Sequence, residues 1–177
     1  MINYTPVVMP ISSIGDEQEQ SAWDTVTEQL IHLWLDDYAS LHPATDIVET
    51  SAANCSYLFD LGAQRLVAAW AVSSGRYSGA RDANRMKGHP LSAPGRYHRG
   101  HAIPHTLGGP TDINLVPQLA KINVGPFRPL ERKAVATPGS LYFTYWEYPD
   151  NATQTPSGVD QGLFILGRTP DITHHGN

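Results

Sequence analysis

The sequence predicts an α+β protein: an antiparallel sheet, an amphipathic helix near the N-terminus and a second helix in the latter half. Three observations carry that expectation. Between Asp16 and Leu41, apolar residues recur at Trp23, Val26, Leu30, Leu33 or Trp34, Tyr38 and Leu41, the three-and-four spacing of one helical face. Runs rich in β-branched and aromatic residues at 57–61, 65–72, 140–148 and 161–166 are separated by turn-forming residues. An extended stretch at 96–103 precedes a helix whose start is bracketed by Pro126 and Pro129.

Taken in order, His32 on the polar side of the first helix and His42 past its end both read as surface residues. Tyr57 to Leu61 and Arg65 to Val72 form a hairpin across Gly62-Ala63-Gln64. Residues 73–95, rich in Ser, Gly, Arg and Pro, read as a long irregular connection, a feature often tied to function in compact domains. Arg96 to Ile103 reads as a short strand stopped by Pro104, and Leu107-Gly108-Gly109-Pro110 as a turn. Asn114 and Gln118 flank a proline in a further connection. The second helix runs to about Ala136, because Pro138-Gly139 stops it. Ser140 to Tyr148 is a strand, 149–158 a loop, and Gln161 to Leu166 the last strand. His174 and His175 are expected to lie past it without order.

A chain of 177 residues fits one domain, divided here into an acidic helix-and-hairpin segment over 1–75 and a core over 76–170. The 41% hydrophobic and 16% charged residues exclude a disordered or fibrous chain. No apolar run approaches the roughly 18 residues of a membrane span, and the first ten residues have no basic cluster. The expected location is therefore the cytoplasm, or the outside by a signal-independent secretion route. Cys55, as the one cysteine, has no partner for an intrachain disulfide and reads as a small buried apolar residue.

The net charge of −5 hides a segregation. Residues 76–133 hold ten basic residues against Asp82, Asp112 and Glu131, a net of +7, so the remainder carries −12. Residues 1–60 contain ten acidic residues and no Lys or Arg. Positive charge is thus confined to one stretch, as a phosphate-binding surface requires. Arg76, Arg81, Arg85, Lys87, Arg128, Arg132 and Lys133 are the candidate phosphate contacts. The acidic first 60 residues are expected to mask that surface or to bind an export component.

The same stretch carries groups suited to metal-assisted phosphodiester cleavage. His101, with an ordinary pKa near about 6.5, can take a proton from water at neutral pH. Asn123 offers an oxygen to a divalent cation that keeps most of its waters, and Glu131, two helical turns further on, is placed to hold such a water. Arg99, expected to point away from His101 in a strand, reaches phosphate only through a bend that Gly100 permits. His98, His101 and His105 make a second arrangement able to bind a transition metal, against which strand alternation argues. Asn114 and Gln118 have the alternative use of satisfying backbone groups around Pro117.

These residues stand as His98-Arg99-Gly100-His101, Asn114 to Gln118, and Asn123-Val124-Gly125-Pro126-Phe127-Arg128-Pro129-Leu130-Glu131. In that form residues 96–168 resemble the DNA/RNA non-specific endonuclease family of the His-Me finger, or ββα-metal, superfamily. The resemblance implies a ββα-metal core, His101 as general base, Asn123 as ligand of Mg2+ or another divalent cation such as Mn2+, and Glu131 as organiser of its water shell. Asn114 is implied as a supporting amide. The chain departs from the family at His98, where an aspartate is usual, and at Pro129. The expected activity is metal-dependent, sequence-nonspecific endonucleolytic hydrolysis of DNA and/or RNA. A chain that had lost catalysis would instead bind nucleic acid without cutting it. An enzyme of that kind without an export signal needs restraint, so the expected setting is a toxin or effector held by an immunity protein or other inhibitor.

Overall fold

A computed structural model describes residues 2–11, 19–43, 45–88, 90, 93 and 95–177. Helix α1 (Thr5–Ile11) precedes the long helix α2 (Glu19–Leu41). The stretch expected to open that helix at Asp16 lies outside the described residues. Trp23, Val26, Leu30, Trp34 and Tyr38 are buried as the periodicity requires, whereas Leu41 is exposed. Strands β1 (Ile47–Ala52), β2 (Cys55–Asp60) and β3 (Arg65–Val72) follow as an antiparallel meander. The β2–β3 turn is fixed by Asp60, whose Oδ1 accepts the Ala63 amide at 3.0 Å, and its left-handed residue is Gln64 rather than Gly62.

Residues 73–95 carry no helix or strand among those described. Strand β4 (Tyr97–His101) pairs antiparallel with β5 (Leu115–Leu119), and the pair leads into a single turn, α3 (Ala120–Asn123), and then α4 (Phe127–Ala136). The expected connection around Pro117 is therefore a strand. The sequence pattern hides it because proline lacks a ladder donor, a defect tolerated in an edge strand of a two-stranded ribbon. Strands β6 (Leu141–Glu147), β7 (Gly158–Phe164) and β8 (Asp171–Gly176) complete a six-stranded sheet of order β1-β2-β3-β6-β7-β8, antiparallel throughout.

Several expectations are corrected here. The last strand is β8, so His174 and His175 are ordered: His174 Nδ1 donates to Asp160 Oδ1 at 2.8 Å, and His175 Nε2 to Gln161 Oε1 at 3.2 Å. His42 is buried, donating to Asn151 Oδ1 at 2.7 Å beside the Tyr38 ring. Because β3 pairs with β6, one sheet joins the 1–75 segment to the end of the 76–170 core, while the basic stretch contributes strands only to the separate β4–β5 pair.

Strand alternation gives the sheet two faces. Phe143 and Tyr145 meet Trp34 of α2 and Tyr4 on one. Trp146 and Gln161 meet Phe127 of α4 on the other, where Ser73 Oγ also donates to Ala134 O at 2.8 Å. Helices α1 and α2 thus cover one side and the β4–β5–α3–α4 module the other. The acidic helix lies behind the sheet from the module, so it cannot mask the basic face within its own chain. Arg65 ties the layers: buried under the Tyr148 ring at 4.1 Å, it donates to Tyr38 Oη and to the carbonyls of Asp150 and Thr153.

Candidate active site

His101 closes β4 and is buried, 7% exposed, in the wall of a cleft of about 430 Å³. Burial, with the positive charge of Arg81 and the neighbouring His105 adding to it, pushes the imidazole down to about 4. The ring is therefore neutral at pH 7 and able to accept a proton. Its Nε2 is shut off from solvent without a hydrogen-bond partner, which leaves Nδ1 for chemistry.

The same cleft is lined by Arg99, Asn123 and Glu131, with Arg76, Arg81, Arg128 and Arg132 around them. Asn123 ends α3 half-buried, and no described residue hydrogen-bonds its side chain. Glu131 lies on α4, and burial lifts its carboxyl to about 7 even though Arg128, Arg81 and Arg132 all favour the charged form. An amide oxygen and a carboxylate that is costly to ionise, lining one cleft, are a donor set suited to a hard divalent cation such as Mg2+, which supplies positive charge. A larger cavity of about 620 Å³ on the far side of β5 contains Arg99 but none of His101, Asn123 and Glu131.

Helix α4 starts late enough to leave Asn123 ahead of it. Pro126 is its N-cap, so Pro129 falls at the third helical position, where a backbone N–H has no intrahelical acceptor in any case. Arg99 and His101 line one cleft because residues two apart in a strand share a face, which overturns the expectation that Arg99 points away. Gly100 is not a bend. It is buried in regular pairing, and an added Cβ would sit 2.2 Å from Gln118 Oε1 and 2.7 Å from Gln118 Cβ. The glycine is there because the buried Gln118 side chain crosses it.

Asn114 does not reach the cleft. Fully buried, it accepts the Ile103 amide at 2.8 Å through Oδ1, and through Nδ2 it donates to Ile103 O at 2.8 Å and to Pro110 O at 3.0 Å. It pins the segment that leaves His101, and an added Cβ on Gly109 would collide with Ile103 O at 1.8 Å. The alternative backbone use holds for Asn114, with Ile103 and Pro110 as its partners rather than the groups around Pro117.

Of the other expected phosphate contacts, Arg85 is paired with Asp112, Lys133 with Asp171, and Lys87 donates to Asn84 Oδ1 at 3.0 Å. None of these three lines the cleft. His101 and His105 face each other with ring centroids 6.2 Å apart, while His98, half-buried opposite Gln118, stays out of the cleft. Among the described residues, the three-residue metal-ligating group that the structure brings together is Glu147, Asp160 and His174, on the other face of the sheet.

Comparison with solved structures finds the same architecture in NucA from Streptococcus agalactiae with a magnesium ion bound. The match has a TM-score of 0.53 and 15% identity, over 80% of this chain and 88% of that one. The fold resembles that of NucA. The same protein with no metal bound aligns at a TM-score of 0.49 and 17% identity, over 78% of this chain and 73% of that one. No family model matches the sequence. No curated protein matches it either. Identity this low establishes likeness of fold.

Proposed function

We propose that the chain is a metal-dependent endonuclease that hydrolyses phosphodiester bonds of DNA and/or RNA with little regard to sequence. One observation carries this reading: a neutral buried imidazole, an unengaged amide oxygen and a carboxylate line one cleft whose rim is set with arginines. Likeness of fold to a NucA that holds magnesium supports it.

In this reading His101 Nδ1 takes the proton of the attacking water; burial keeps the ring unprotonated at pH 7 while making it a weaker base than a free imidazole. Asn123, by its side-chain oxygen, and Glu131, through water, would hold Mg2+ or Mn2+. When bound, the ion compensates charge on the phosphate and stabilises the leaving oxygen. Arg76, Arg81, Arg99, Arg128 and Arg132 bind the backbone phosphates, reading charge rather than base edges. Nicking of plasmid DNA or degradation of RNA that requires Mg2+ and falls roughly 10²-fold or more in His101→Ala is the expected result. Unchanged cleavage by that variant would remove His101 as the base.

The histidine at 98 favours a second reading, a protein of this fold that binds nucleic acid without cutting it. Salt-sensitive binding with no cleavage over a panel of divalent ions would decide for it. If the chain does cut, its lack of selectivity calls for restraint. We propose a toxin or effector role with an immunity protein that presents acidic groups to the arginine rim. Co-expression with its genomic neighbours, scored as rescue of growth, tests that role.

A further inference from the structure

On the sheet face opposite the cleft, three strands bring one chemical cluster together. Glu147 ends β6, Asp160 lies in β7 and His174 in β8, with Asp160 and His174 directly paired in register. One ligand atom from each lies within 4.8 Å of the others. Gly158, opposite Glu147, makes the convergence possible: an added Cβ would stand 2.8 Å from Glu147 Oε2 and 2.9 Å from His174 Cε1.

Hydrogen bonding sets the roles. Asp160 is completely buried, and its Oδ2 accepts the Tyr4 hydroxyl at 3.0 Å, which in turn accepts Trp34 Nε1–H at 3.3 Å. Its Oδ1 accepts His174 Nδ1–H at 2.8 Å. That bond fixes the tautomer and leaves Nε2 with its lone pair outward, 3.9 Å from Glu147 Oε2. Both of these side chains are partly exposed, so water reaches their tips. A buried carboxylate that orients an imidazole whose other nitrogen faces a second carboxylate is the arrangement of carboxylate–histidine–metal sites. An ion bound tetrahedrally at ordinary zinc distances holds nitrogen and oxygen ligands about 3.4 Å apart, so a small side-chain adjustment closes the gap.

We propose that Glu147, Asp160 and His174 form a site for a transition-metal ion of the zinc class. His174 Nε2 and the Glu147 carboxylate are the direct ligands, Asp160 and Tyr4 orient them from behind, and water completes the shell. An imidazole with a carboxylate selects zinc-like ions over Mg2+, so the site is distinct in chemistry as well as in place from the cleft. The bound ion clips β6, β7 and β8 together and, through Asp160 and Tyr4, holds α1 against the sheet.

The test is titration of the folded chain with Zn2+ alone. The cleft imidazoles of His101 and His105 are competing ligands, so calorimetry uses the His101→Ala/His105→Ala chain. One Zn2+ per chain is expected, with Tm rising on binding, and affinity falling about tenfold or more when His174→Gln or Glu147→Gln is added. In the unmutated chain, NMR of the imidazole nitrogens is expected to show Zn2+ at His174 Nε2 while Nδ1 keeps its proton, a readout that needs no variant to fold. Absence of Zn2+ binding up to on the order of 1 mM, or His174 resonances that Zn2+ leaves unmoved, would overturn the proposal.

Discussion

Glu131 and His101 share a cleft wall, and burial moves their proton affinities in opposite directions. A carboxyl whose folded pKa is about 7, against an ordinary 4.5, binds more protons folded than unfolded between those values. Its cost to stability therefore grows as pH rises through that window and is complete above it. We expect Glu131→Gln to stabilise the metal-free chain at pH 8 by about 1–2 kcal/mol and to change little at pH 4.5, measured by urea unfolding. Equal gains at both pH values would show that the benefit has nothing to do with ionisation. His101 has the reverse sign: its contribution is intact above about 6.5 and is lost as pH falls toward 4. Next to it, Gly100→Ala is expected to cost about 1–3 kcal/mol, because Gln118 is fully buried and has no room to swing away from a new methyl. A thermal melt within error of the unmutated chain would contradict that crowding.

At the scale of elements, α4 shows how a local rule is read in context. A proline inside a helix usually removes a bond, but Pro129 falls where the backbone N–H has no intrahelical acceptor. Pro129→Ala is expected to lose no more than about 1 kcal/mol, the entropy of a freer unfolded chain, and to leave cleavage unchanged. A gain of that size in urea unfolding would instead reveal an acceptor waiting there. The elements legible in the sequence were those whose burial pattern is strong: α2 through Trp23 to Tyr38, the β2–β3 hairpin, α4 between its prolines, and β6 with its aromatic run. The edge strands were not legible. Four of the six positions of β1 are exposed, and β8 reads Asp-Ile-Thr-His-His-Gly, so neither shows alternation. Strand β5 was hidden by Pro117. In the candidate site, the family resemblance carried by His101, Asn123 and Glu131 implied that they converge, and the three line one cleft. The burial of Asn114 and the pairing of Arg85 and Lys133 depend on tertiary neighbours that no local pattern encodes.

The molecule as a whole is electrically two-sided. Helix α2 exposes Asp24, Glu28 and Asp36 on one side of the sheet, and the module on the other gathers five arginines around the cleft. Two come from the loop after β3, one from β4, and Arg128 and Arg132 from α4, four residues apart and so on one face of the helix. Such a distribution orients an incoming polyanion despite the overall charge of −5 and keeps the acidic side turned away. If each of the five meets a phosphate, log affinity for duplex DNA falls against log salt with a slope of about −4 to −5. Binding is measured by anisotropy with His101→Ala so that the DNA survives. Replacing both Arg128 and Arg132 with Gln is expected to flatten the slope by about 2 and to weaken binding equally for unrelated sequences. Replacing Arg85 or Lys133, each already held by an aspartate away from the cleft, should move the slope by less than about 1. Equal effects from the two pairs would mean that the duplex crosses the basic face as a whole, and that the cleft is not where the backbone is gripped.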